Sequence, residues 1–201
     1  MKSAAVDVRA EIAAERRDLA DVLDGLTGHQ WNAPTLCSGW RVREVAAHMS
    51  MGFRYSFVRT ALELARSGGN LHRMTDRVAR RDAAVLTPRD LAAALRDNAH
   101  HPWRPPVGGP AAALGHDVVH GLDITVALGL GRQLPRDRLL IVLKTVKPST
   151  LRFFRANLDD VELRATDLEW SYGTGTQVAR PAQELLLLAY GRTLPAVRAD
   201  G

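Results

Sequence analysis

The sequence predicts a mainly α-helical bundle with a small C-terminal β element and a final helix. Three observations carry this reading. Apolar residues recur at helical spacing along most of the chain, turn residues cut that pattern into helix-length pieces, and after Asn157 the pattern changes to alternation. Residues 4–26 are predicted as the first helix, with Val8, Ile12, Leu19, Val22, Leu23 and Leu26 on one stripe and Gly25 and Gly28 near its end. QWNAPTLCSGW follows as a loop marked by Pro34 and Gly39. A second helix is predicted over 41–66 and stops at Ser67-Gly68-Gly69-Asn70. A polar third helix covers 71–84. Thr87-Pro88-Arg89-Asp90 reads as the start of a fourth, because threonine caps, proline fits the first turn and the aspartate suits the positive helix end. HHPWRPPVGG is a loop, 110–128 a fifth helix, and 135–154 a sixth that Pro148 bends or breaks. VELRATDLEWSYGTGTQVA then alternates apolar and polar residues around turns at 166–167 and 173–175, which predicts two or three short strands with Trp170 in one of them. Residues 181–190 close the chain as a leucine-rich helix. We place the boundary between a bundle, 1–156, and a strand–strand–helix extension packed on it, 157–201.

Composition narrows the function. The 201 residues are 46% hydrophobic, enough for one good core. No apolar run is long enough to span a membrane, and the charged N-terminus lacks the apolar core of a signal peptide. The single cysteine, Cys37, forms no disulfide within the chain, and a cytoplasmic location is expected. A net charge of +5 raises the prior for anionic partners. Nucleic acid is nonetheless disfavoured: the arginines are spread out, and the densest group, Arg77, Arg80, Arg81 and Arg89, is interrupted by Asp76, Asp82 and Asp90. The few aromatics do not interleave with these arginines as a base-stacking surface requires.

The segment ALGHDVVHGLDITVALG, 113–129, raises a sharper question. On a helix, Leu114, Val118, Val119, Leu122 and Val126 share one side, while Ala113, His116, Asp117, His120, Ile124 and Ala127 share the other. Neither side suits water, so this helix belongs inside a bundle. His116 and His120 stand at i and i+4, a spacing that lets two imidazoles bind one ion. His48 is the candidate third ligand, since it lies beside Val45, Met49 and Gly52 on the inward stripe of its helix. The remaining histidines fall in loops or on a polar helix. Three neutral imidazoles with an open position make a reactive divalent-metal site. Asp123 is placed to orient His120, and Asp117 is both a rival ligand and a candidate supporting acceptor. Isolated core histidines more often simply hydrogen bond, so spacing alone leaves both readings, metal site and core histidines, open. Trp31 and Trp40 are read as packing the loop on the bundle, Cys37 as a small buried side chain, and Trp103 as either a pocket rim or an exposed loop residue.

LTGHQWNAPTLCSGWRVREVAAHM resembles the start of the mycothiol-dependent maleylpyruvate isomerase family. Trp31, Pro34, Thr35, Cys37, Gly39, Trp40, Val42, Glu44 and His48 match its pattern in order. VVHGLDI is similar to the family's second metal segment, with His120 and Asp123 in register, and the tail from Asp167 to Arg192 is similar to its closing strands and last helix. The resemblance implies a DinB-like four-helix bundle with a divalent ion near one end, and mycothiol as co-substrate. One position departs: the isomerase pattern has glutamate where this chain has His116, and the resulting triad His48, His116, His120 is similar to the three-histidine site of other DinB-like proteins. The expectation is a divalent metal, zinc by ligand type with nickel or iron as alternatives. The ion lowers the pKa of a bound thiol or water, and the thiolate attacks a small electrophilic substrate in thiol transfer or thiol-assisted isomerisation. The alternative is a non-catalytic metal- or ligand-binding module. A homodimer is allowed by such a bundle, and nothing in the sequence demonstrates it.

Overall fold

The N-terminal apolar stripe folds as α1 (Val8–Asp24), started by Asp7, whose side chain accepts the Arg9 N–H. The computed structural model describes residues 7–194, so the predicted helical residues 4–6 and the end of the extension, 195–201, lie outside the described residues. Leading into the predicted loop a single turn forms, α2 (Gly28–Trp31), because Thr27 and Gln30 make a reciprocal capping box.

The predicted helix 41–66 is two helices, α3 (Val42–Arg54) and α4 (Phe57–Arg66). Tyr55 between them is extended, and Ser56 caps the new helix by accepting the Arg59 N–H. Tyr55 is buried with its hydroxyl on Asp82, at 2.9 and 3.0 Å from the two carboxylate oxygens, and this tertiary anchor breaks a pattern that local spacing would have continued. α5 (Leu71–Val85) is helical despite its polarity, since Met74, Val78, Ala79 and Ala83 bury a stripe on the bundle. Its arginines meet acidic partners: Arg77 and Arg81 reach Glu63, and Arg80 reaches Asp76. The hydrogen bonds from Arg77 and Arg81 hold the Glu63 carboxyl down at about 2. α6 (Pro88–Asp97) starts at the predicted Thr87/Asp90 cap. α7 (Gly109–Ala127) follows. The predicted sixth helix separates into α8 (Arg136–Leu143) and α9 (Pro148–Phe154) ahead of Pro148.

α1, α6, α3 and α7 close a four-helix ring, with α5 packed outside α3. One core fills the ring, with Leu19, Leu23, Val45, Met49, Leu91, Leu95 and Ile124. A second lies behind α7 and joins Leu114, Val118 and Leu122 to Leu143, Leu163, Leu185 and Leu186. α7 therefore stands between two cores, which is why both of its sides are apolar.

The C-terminal part contains β1 (Val161–Ala165), β2 (Ser171–Gly173), β3 (Thr176–Arg180) and α10 (Ala182–Ala189). β1 is central, antiparallel to β2 and parallel to β3. The link from β2 to β3 crosses the start of β1 through Gly175 at φ 124°, where a Cβ would lie 2.1 Å from the Asp160 carbonyl oxygen. Trp170, expected in a strand, sits one residue before β2 and accepts the Ala165 N–H through its carbonyl.

Candidate metal centre

The seam between α3 and α7 brings together His48, His116 and His120, each placing a ring nitrogen within 4.8 Å of the others'. Nε2 of His116 and Nε2 of His48 are 3.2 Å apart. The other ring nitrogens of the α7 pair face away. His116 Nδ1 meets Asp117 Oδ1 at 2.9 Å, and His120 Nδ1 meets Asp123 Oδ2 at 3.0 Å. Both carboxylates are completely buried. This network assigns the protonated Nδ1 tautomer to both histidines and turns the Nε2 lone pairs toward the cluster.

Each aspartate is in turn held by an arginine. Arg16 of α1, itself fully buried, donates from Nε to Asp117 Oδ2 at 2.7 Å. Arg192, past α10, grips Asp123 with Nε on Oδ1 at 2.8 Å and Nη2 on Oδ2 at 2.7 Å. Asp117, the rival ligand, thus has one oxygen on Arg16 and the other on His116 rather than facing the cluster. Burial raises the pKa of Asp123, but the hydrogen bonds from Arg192 and His120 outweigh it and leave the group below the ordinary range. His48 lies well below the usual imidazole value, first through burial and then through the neighbouring His120 and His116; burial also lowers His120. His48 Nδ1 is buried without a hydrogen-bond partner among the described residues.

Aromatic rings wall the cluster. Trp40 stands 5.1 Å from His48 and 6.5 Å from His120 between ring centroids, and its indole N–H donates to Asp76 of α5. Trp40 therefore lines the site as well as packing its loop. Trp103 lies 5.0 Å from His116 and is a rim residue rather than an exposed one. It fits only because residue 52 is glycine: a Cβ there would come within 2.4 Å of the indole. Cys37, which has no histidine near it in sequence, lies within 4.8 Å of His120 and Asp123 by their ligand atoms. Burial, and then Asp123, push its thiol up to about 11. Beyond it, a cleft of about 500 Å³ is lined by Thr35, Cys37, Ser38, Arg192 and Thr193.

The other histidines go elsewhere. His101 stacks near Phe53, His72 near Phe153, and His100 meets Arg17. Sequence reading missed Arg16 and Arg192. A signal existed for the first: Glu15 and Arg16 interrupt the apolar stripe of α1 between Ile12 and Leu19. Arg192 had none, because it follows the last helix in a turn.

The residues fit a divalent ion of borderline softness. Two nitrogens are aimed by carboxylates, a third comes from the facing helix, and burial keeps His48 and His120 neutral so that their lone pairs are available. A family model, Mycothiol maleylpyruvate isomerase N-terminal domain, matches residues 12–169. No curated protein and no solved structure matches the chain. Among the described residues no helix is long and apolar enough to cross a membrane.

Proposed function

The chain belongs to the mycothiol maleylpyruvate isomerase N-terminal domain family, and from that premise we propose that it is a divalent-metal-dependent, thiol-dependent transferase or isomerase acting on a small electrophile. The observation that carries this reading is the convergence of three ring nitrogens, two of them backed by buried carboxylates. His48, His116 and His120 would hold the ion, zinc by donor type with nickel or iron as alternatives. The ion supplies acidification of a bound thiol or water at neutral pH. Asp117 and Asp123 fix the imidazole tautomers, and Trp40 and Trp103 stand beside the cluster. With mycothiol as co-substrate, a carbon–sulfur bond forms, the S–H bond breaks and the proton passes to the substrate, so that all atoms are conserved in the adduct.

His116 occupies the position of the isomerase pattern's glutamate, which favours simple thiol transfer within this reading. A non-catalytic metal module would be favoured by a saturated ion, and the rival ligand Asp117 has its two oxygens on Arg16 and His116.

The test is metal content of tag-free protein, followed by thiol consumption with electrophiles. We expect about one divalent ion per chain, lost in His120→Ala, and thiol transfer abolished by a chelator. Activity that survives both the chelator and His120→Ala overturns the proposal.

A further inference from the structure

The metal-centre reading places the ligands on α3 and α7, both inside the matched segment 12–169. Arg192 lies 23 positions beyond that segment's end, past the sheet and α10. We propose that Arg192 is a positioning residue of the metal centre: through Asp123 it fixes the ring of His120, so the site is complete only when the turn after α10 is docked. This rests on the reading of the three histidines as metal ligands.

Three features of the molecule carry the inference. The grip is bidentate, with both Asp123 oxygens held at 2.7 and 2.8 Å by one planar guanidinium. The third nitrogen of the fork, Nη1, donates to the Tyr190 carbonyl at 2.8 Å, so the arginine is tied to the end of α10 and cannot follow Asp123 if α10 moves. α10 is itself fixed by the core behind α7, through Leu185 and Leu186, which are wholly buried. The chain thus runs from α10 to Arg192, to Asp123 and to His120 through direct hydrogen bonds. Asp117 and Arg16 make the matching arrangement for His116 from the other end of the chain. Without Arg192, Asp123 is a completely buried carboxylate whose remaining side-chain partner is His120. A carboxylate held from one side only can rotate, and that rotation releases the His120 ring.

The experiment is cobalt(II) titration of the full chain, with the visible d–d bands reporting geometry and the titration reporting Kd. For Arg192→Met we expect about 10–100-fold weaker binding and shifted bands, the usual consequence of removing a group that orients a metal ligand. Added methylguanidinium should restore part of both. Arg192→Lys keeps the charge but not the two-oxygen fork, so it should fold and still bind more weakly than wild type, by about threefold or more. If Arg192→Met keeps wild-type Kd and bands, the inference is overturned. If Arg192→Met does not fold, Arg192→Lys decides by the same two readouts, and wild-type values there overturn it. Wild type that takes up no cobalt overturns the metal reading itself, a failure visible before any variant is compared.

Discussion

Glu15 and Arg16 are neighbours on α1, yet they enter two buried polar clusters built on different terms. Glu15 turns to α8 and the loop before it. There it takes Arg132 with both oxygens, at 2.8 and 3.0 Å, and Arg138 at 2.7 Å, while Arg138 also reaches Glu11 and Asp18. None of the buried side-chain atoms of Glu15, Arg132 or Arg138 lacks a partner. Arg16 turns the other way, to Asp117 and through it to His116. Among the described residues His48 Nδ1 and Arg16 Nη2 are buried without partners, and three imidazoles face one another. Folding alone rewards the first arrangement and penalises the second. The difference supports reading the Glu15 cluster as structural and the histidine cluster as the proposed metal site.

The comparison breaks most visibly at Glu15. Glu15→Ala removes a buried carboxylate from the partly buried Arg132 and the buried Arg138 and should cost about 3–5 kcal/mol of stability in denaturant melts, with metal stoichiometry under native conditions unchanged. Metal loss in a folded Glu15→Ala protein would show that the two clusters are one.

Asp117→Asn sharpens the contrast from the other side. It should weaken metal binding by about 10–100-fold, which corresponds to about 1.4–2.7 kcal/mol, as measured by competition with a chromophoric chelator. Unchanged affinity would assign Asp117 to structure alone.

The smallest effect is in pH. In metal-free protein, burial holds the folded-state pKa of His48 well below 6.5, and that of His120 below it. Between those depressed values and about 6.5 the unfolded chain binds more protons than the folded one, so stability falls as pH drops. From pH 7 to 5.5 the loss should be about 1 kcal/mol for a histidine that stays neutral when folded. His48→Gln should flatten the slope. An equal slope in that variant would mean His48 is protonated in the fold.

The two clusters also differ in how legible they were. His48, His116 and His120 stand out because imidazole on an apolar helix face violates the local pattern, and the i, i+4 spacing is visible without a fold. Glu15 and Arg16 violate the same pattern, but a violation does not name its partner. Arg132, Asp117 and Arg138 are 101 to 123 positions away along the chain. The break at Tyr55 was hidden for the same reason, because its cause is Asp82 on another helix.

What the sequence determined by itself is local: most of the helical segments, that Thr87 starts a helix and Pro148 bends or breaks one, that the region after Asn157 forms strands, and that three histidines occupy inward positions. These follow from backbone geometry and apolar periodicity, which act over a few residues. The tertiary structure alone decided that β3 joins β1 rather than its neighbour β2, that Trp40, Trp103 and Cys37 surround the cluster, and that Arg16 and Arg192 hold its two aspartates. Such contacts join residues far apart along the chain. Hydrogen-bond geometry and charge desolvation select them only once the helices have packed and water has been excluded.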